Sequence, residues 1–84
     1  MKLRMLYFAS LRERIGVSEE TLDVPGSIVS VAQLRGWLAE RGTGWAEAFA
    51  ERSVRAAVDQ TMVNDDHSLI DGAEVAFFPP VTGG

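Results

Sequence analysis

The first residues alternate between two faces and predict a β-strand from Lys2 to Phe8. Lys2 and Arg4 mark one face as the outer one, because charged side chains favour solvent. Leu6 and Phe8 continue that same face, so we expect two apolar side chains on the outer face after the two charged ones.

Periodicity and turn signals divide the rest of the chain into short elements. Ser10 is a candidate cap for the first helical turn, and Ser27 or Ser30 for the main helix. In chain order the predicted elements are a helical turn from Leu11 to Ile15, a strand from Glu19 to Val24, a helix from Val31 to Arg41, a short helix from Trp45 to Glu51, short strands from Ser53 to Val58 and Thr61 to Asn64, and a last strand from Glu74 to Phe78.

Two points stay open in the second half of the chain. The segments around Asp59 and Gln60 form either two short strands or one bent strand. Met62 is expected on the outward face of its strand, and Leu69 and Ile70 are expected in the core before the Asp-Gly turn signal.

This order of elements predicts an α+β fold with a mixed sheet of four to five strands. One main helix packs on one face, and the first and last strands lie parallel and central, with the helix in the crossover between them. We expect a single domain over residues 1–84, in which residues 79–84 form a flexible, extended tail.

Composition narrows the classes of function. The chain has 84 residues, a net charge of −4 and no cysteine. Acidity argues against binding of a nucleic-acid backbone, and the absence of cysteine excludes disulfides and thiolate metal sites. The absence of cysteine also fits a reducing cytoplasm, and no apolar run reaches the length of a membrane span. Together these features predict a cytoplasmic protein that binds no membrane and no nucleic acid.

Candidate catalytic groups are few. His67 is the single histidine and follows two aspartates, but it has no second histidine or cysteine to complete a metal site, so no metal is expected. Arg12 and Arg14 could bind an anion or a partner's carboxylates, although an exposed, solvated face is the favoured interpretation.

The end of the chain carries the most specific signal. The residues Phe77 to Gly84 spell Phe-Phe-Pro-Pro-Val-Thr-Gly-Gly, in which a diproline keeps the exit extended. Gly83 and Gly84 could enter a channel too narrow for any Cβ. If ATP adenylates the terminal carboxylate, a sulfur nucleophile displaces AMP and leaves a thiocarboxylate, and this chemistry needs no side chain from the domain.

These residues resemble a known family. The ending, together with the preceding Asp71 to Ala76 and the opening Tyr7 to Glu13, is similar to the small, sulfur-carrier subunit of molybdopterin synthase, the MoaD family. The resemblance covers the whole chain and implies a ubiquitin-like β-grasp fold.

The resemblance also implies a function and partners. Gly84 would be adenylated by a MoeB-like enzyme, which consumes ATP, and a sulfur donor protein would supply the sulfur of the thiocarboxylate. That sulfur would pass to cyclic pyranopterin monophosphate to form the molybdopterin dithiolene. The large synthase subunit, within a heterotetramer, would hold the active site, so no bound cofactor is expected here.

The resemblance further assigns roles to residues. The tail that threads into the large subunit would consist of Pro79, Pro80, Val81, Thr82 and Gly83. Partners would dock on Phe8, Met62 and Phe78, with Arg12 as a further candidate, and three apolar residues on one face are typical of an interface.

Three alternatives remain. The chain could carry sulfur for thiamine or cysteine synthesis, it could be a ubiquitin-like modifier of other proteins, or it could be an interaction domain with an inert tail. The first two share the terminal Gly-Gly, but the Phe-Phe-Pro-Pro approach argues for the molybdopterin pathway.

Overall fold

Five strands and three helices occupy residues 1–50 and 53–80, which are the residues that this computed structural model describes. The elements are β1 (Lys2–Tyr7), α1 (Ala9–Ile15), β2 (Glu19–Asp23), α2 (Val31–Ala39), α3 (Thr43–Ala50), β3 (Arg55–Val58), β4 (Thr61–Val63) and β5 (Glu74–Phe78). Glu51, the predicted last residue of the third helix, lies outside the described residues.

The strands form one five-stranded mixed sheet in the order β2-β1-β5-β3-β4. β1 and β5 are parallel, and the other neighbours are antiparallel. Because parallel strands need a long crossover, α2 lies in the connection between the two ends of the chain. The predicted α+β class, the parallel pairing of the first and last strands and the β-grasp arrangement are confirmed.

The core lies between the sheet and the helices. Strand alternation buries Leu3, Met5 and Tyr7 on β1 and Phe77 on β5. Helix α2 contributes a stripe of Val31, Leu34 and Leu38, which repeats at the helical spacing. Each such side chain contributes about 1.5–3 kcal/mol through its burial.

Helix α2 begins at a capping box. Ser30 Oγ accepts a hydrogen bond from the Gln33 N–H at 3.2 Å, and Gln33 Oε1 accepts one from the Ser30 N–H at 3.2 Å. This geometry selects Ser30 over Ser27 as the cap. The helix ends at Ala39 rather than Arg41, because the Arg41 N–H donates to the Leu38 carbonyl only three residues back.

The N-terminal cap of the first helix, α1, differs from the predicted one. Phe8, with φ −120° and ψ 155°, is the N-terminal cap of α1, so β1 ends at Tyr7, and the cap makes no side-chain hydrogen bond. Ser10 lies inside the helix, and its predicted capping role was wrong. Gly16 ends α1 in the left-handed region at φ 75°, as glycine readily does.

A tight hairpin joins β3 and β4. Val58 pairs with Thr61, and the two residues between them have positive φ, 48° at Asp59 and 69° at Gln60. Two-residue loops of this kind match the twist of paired strands. The segment therefore forms two strands rather than one bent strand.

The prediction that Ile70 belongs to the core was wrong. Leu69 is buried, but the Ile70 side chain is 68% exposed. The Leu69 N–H donates to the Val29 carbonyl in an extended segment, where successive side chains point to opposite sides. Ile70 then opens a turn closed by a hydrogen bond from the Ala73 N–H, with Gly72 at φ 86°.

Among the helices in the described ranges, none combines the length and apolar character needed to cross a membrane.

Candidate functional site

An apolar row crosses the outer face of the sheet, opposite the helices. Leu6 pairs with Ala76, Ala76 with Ala57, and Ala57 with Met62, so one row runs over β1, β5, β3 and β4. Paired residues on neighbouring strands point to the same face. The row therefore presents four apolar side chains in one continuous line.

The three residues proposed for partner docking belong to this face. Phe8 is 46% exposed and Met62 is 58% exposed, while Phe78 is half-buried. The Phe8 N–H donates to the Phe77 carbonyl at 3.1 Å, which holds Phe8 beside the end of β5. We call this surface the outer patch, and it consists of Leu6, Phe8, Ala57, Met62, Ala76 and Phe78.

Charged residues close one end of the outer patch. Arg4 Nη2 lies 2.7 Å from Glu19 Oε2, and Arg4 Nε lies 3.8 Å from Glu74 Oε1. Arg4 and Glu74 precede Leu6 and Ala76 on their strands, so they mark the end at which β1 and β5 begin. The opposite end of the patch is the one at which β1 and β5 finish.

The chain leaves the sheet at that opposite end. β5 ends at Phe78, and the half-buried Pro79 and Pro80 follow it without an N–H to extend the ladder. The predicted threading residues Val81, Thr82 and Gly83, and the predicted reactive Gly84, lie outside the described residues. Their roles stay predictions, as does the extended tail over residues 79–84.

Arg12 is exposed on α1, the helix that Phe8 begins. Helix α1 directly follows β1, the strand that contributes Leu6 to the outer patch. Its role in docking stays a prediction.

A groove of about 450 Å³ lies beside the root of the tail. Its lining comes from α2, β3, β4 and the loops next to them, and we call it the tail-side groove. The residues that line it are Arg35, Ser53, Val54, Arg55, Ala56, Met62, Val63, Asn64, Asp65 and Pro80. The sequence gives no local signal of this groove, because its walls come from segments far apart in the chain.

The two arginines of the groove differ in their contacts. Arg35 Nε donates to Asp65 Oδ1 at 2.8 Å, and its guanidinium carbon lies 5.2 Å from the centre of the Phe77 ring. Arg55 pairs in register with Phe78 and is exposed. Within the described part of the chain, the guanidinium of Arg55 makes no hydrogen bond or ion pair.

A second polar cluster lies on the helix side of the sheet. Glu20 accepts hydrogen bonds from Arg41 at 2.6 and 3.1 Å and from the Tyr7 hydroxyl at 2.9 Å. The Arg41 guanidinium lies 4.2 Å from the Trp45 ring centre, and Trp45 meets Tyr7 edge-on. The cluster joins β1, β2 and the end of α2 to α3, and residues this far apart in the chain give no local signal.

The contacts explain the ionisation of this cluster. Hydrogen bonds from Arg41 lower the pKa of Glu20, and burial opposes part of that effect. Burial, followed by the hydrogen bond to Glu20, raises the pKa of Tyr7 well above its ordinary value. Both groups keep one protonation state at neutral pH, so the cluster holds elements together and is not an acid–base pair.

Metal-binding candidates do not converge. The His67 side chain is exposed, and the backbone N–H of His67 donates to the Asn64 carbonyl in a polar turn. Over residues 1–50 and 53–80, no three side chains of histidine, cysteine, aspartate or glutamate come together in a way that could hold a metal ion.

A family model described as the ThiS family matches residues 5–84. The chain belongs to the ThiS family. It is 44% identical to the molybdopterin synthase sulfur carrier subunit of Escherichia coli strain K12, over 98% of this chain and 99% of that one.

Solved structures agree with this assignment. A Pyrococcus furiosus protein assigned as molybdopterin converting factor subunit 1 is 32% identical, with a TM-score of 0.78 over 96% of this chain and 99% of the other. The fold is also shared by a Helicobacter pylori chain in the complex of subunits 1 and 2 of molybdopterin-converting factor. That chain is 21% identical, with a TM-score of 0.70 and full coverage of both chains.

Proposed function

We propose that this protein is the sulfur carrier subunit of molybdopterin synthase. The observation that carries the proposal is the match over nearly the whole chain, at 44% identity, to a protein of that name. The outer patch supports it, because an apolar surface that leads to the chain terminus suits a protein held by partners while its end reacts.

The reactive group in this proposal is the carboxylate of Gly84. Its oxygen attacks the α-phosphorus of ATP on a MoeB-like activating enzyme, which forms an acyl-adenylate and releases pyrophosphate. Hydrosulfide, supplied by a donor protein, then attacks the acyl carbon and AMP leaves with the oxygen it carried, so the product is a thiocarboxylate. The carrier binds no cofactor of its own, and the activating enzyme consumes the ATP.

The second half of the reaction takes place on the large synthase subunit. The tail, from Pro79 to Gly83, threads into that subunit, and the thiocarboxylate donates its sulfur to cyclic pyranopterin monophosphate. The complex of subunits 1 and 2 from Helicobacter pylori supports a large-subunit partner. We propose a cytoplasmic heterotetramer, docked through Phe8, Met62 and Phe78.

The proposal is tested by intact mass measurement followed by product analysis. Incubation with the activating enzyme, ATP and sulfide is expected to exchange one oxygen of the chain for sulfur. Adding the large subunit and cyclic pyranopterin monophosphate is then expected to restore the original mass and to yield molybdopterin. A chain whose mass never changes under these conditions would overturn the carrier function.

The same experiment separates the alternatives. Sulfur loading without molybdopterin formation, but with transfer to a thiamine or cysteine precursor, would assign the chain to another pathway. Isopeptide-linked products in cell extract would instead identify a protein modifier.

A further inference from the structure

Arg55 is an unpaired cation at the edge of the outer patch. It lies on β3 in register with Phe78, next to the strand end from which the tail leaves. Within the described ranges its guanidinium has no carboxylate partner, although the chain as a whole carries a net charge of −4. An acidic protein that leaves this cation unpaired has a local site suited to an external anion.

The tail-side groove is where such an anion would bind, because Arg55 is one of the residues that line it. Arg35 lies in the same groove, but Asp65 at 2.8 Å already neutralises it, and its side chain is only 17% exposed. An incoming carboxylate would therefore find one unpaired guanidinium, that of Arg55, in a groove of about 450 Å³.

The groove is continuous with the outer patch. Met62 belongs to the patch and also lines the groove, and Pro80 lines the groove at the start of the tail. A partner that covers the patch and receives the tail must pass over the groove. The occupant is therefore expected to come from that partner rather than from a free ligand.

We propose that the tail-side groove receives an aspartate or glutamate side chain of the large synthase subunit, which pairs with Arg55. This inference rests on the proposed function, because it takes the large subunit as the partner. The pair would fix the orientation of the carrier around its apolar contact and would speed association.

Charge reversal at Arg55 tests the pair. R55E is expected to weaken binding to the large subunit about tenfold at low salt, mainly through slower association, and to reduce the salt dependence of the association rate. The matched control is K2E, which makes the same change of charge on an exposed residue at the other end of the outer face. K2E is expected to bind like the wild type, and thermal unfolding checks that both variants fold.

A cross-linking experiment identifies the partner group directly. Lys2 is the single lysine of the chain, so R55K introduces one new side-chain amine beside the groove. A carbodiimide is expected to join that amine to an aspartate or glutamate of the large subunit in the complex. Mass spectrometry of the linked peptide names the acidic residue, and the wild-type chain should lack this link.

The outcomes distinguish the two proposals. If the wild-type chain binds the large subunit and R55E binds equally well, the Arg55 pair is overturned while the carrier function stands. If R55E weakens binding only to the activating enzyme, the acidic group belongs to that enzyme and the proposal is wrong as stated. If the wild-type chain does not bind the large subunit at all, both proposals fail.

Discussion

Two adjacent phenylalanines on β5 meet opposite environments. Phe77 is fully buried, with the Phe49 ring 5.0 Å away edge-on and the Arg35 guanidinium 5.2 Å from its centre. Phe78 is half-buried on the outer face, beside Arg55 in register. Strand alternation alone separates them, so one residue stabilises the fold while its neighbour is available to a partner.

Matched alanine substitutions should separate these roles. F77A is expected to lower the free energy of unfolding by about 3–5 kcal/mol, since it leaves a cavity in the core. F78A is expected to cost much less in stability but to weaken binding to the large subunit at least about fivefold.

Chemical denaturation and calorimetric titration measure the two effects. F77L, which leaves a smaller cavity, gives a stability value if F77A does not fold. An F78A chain destabilised as much as F77A would show that Phe78 belongs to the core and not to a docking surface.

The Glu20 carboxylate should make stability depend on pH. Folding lowers its pKa below the ordinary value of 4.5, chiefly through the hydrogen bonds from Arg41. The unfolded chain then binds more protons just below pH 4.5, so stability rises with pH in that range. The contribution of Glu20 is complete above that value and is lost as the pH falls through the lowered one.

E20Q should therefore unfold more easily at neutral pH and lose less further stability in acid than the wild type. Urea unfolding at a series of pH values measures the difference in slope. Glu47→Gln, which removes an exposed carboxylate from α3, controls for the loss of one acidic group. Equal slopes for E20Q and the wild type would contradict the role assigned to the Arg41 hydrogen bonds.

At the scale of elements, the first and last strands followed from the local pattern, whereas the start of the main helix did not. Alternation predicted β1 and β5 to within one residue, because one face of each is buried throughout. The start of α2 needed the structure, since Ser27 and Ser30 both precede an apolar run and only Ser30 forms the capping box.

Substitution of these two serines tests the cap. S30A is expected to lower the free energy of unfolding by about 1 kcal/mol, because it leaves the Gln33 N–H without its partner. S27A removes the same hydroxyl from an exposed residue and should stay within about 0.5 kcal/mol of the wild type. Thermal or urea unfolding compares them, and equal losses would contradict the capping assignment.

At the scale of the whole molecule, the body and the terminus have separate tasks. The outer patch adjoins the tail-side groove through Met62, and the groove adjoins the root of the tail through Pro80. A partner that binds the patch and the groove would therefore also contact the root of the tail. The described residues contribute surfaces to the proposed reaction, and the chemistry is assigned to Gly84.

Extending the chain beyond Gly84 should abolish activation without affecting the fold. One added alanine moves the terminal carboxylate and places a Cβ in a path expected to accept glycine only. Intact mass after incubation with the activating enzyme, ATP and sulfide measures loading, and unfolding curves serve as the control. Full sulfur loading of the extended chain would contradict a reaction at the terminal glycine.

The sequence by itself determined the periodic elements, the parallel pairing of the first and last strands and the chemical character of the terminus. Burial of one face imposes a local period of two or 3.6 residues, and glycine and proline act on their own backbone. The tertiary structure decided which residues meet. It exposed Ile70, joined Tyr7, Glu20 and Arg41, and set Arg55 unpaired beside Phe78. Those outcomes depend on strand register and on contacts between distant segments, which leave no pattern in the neighbouring residues.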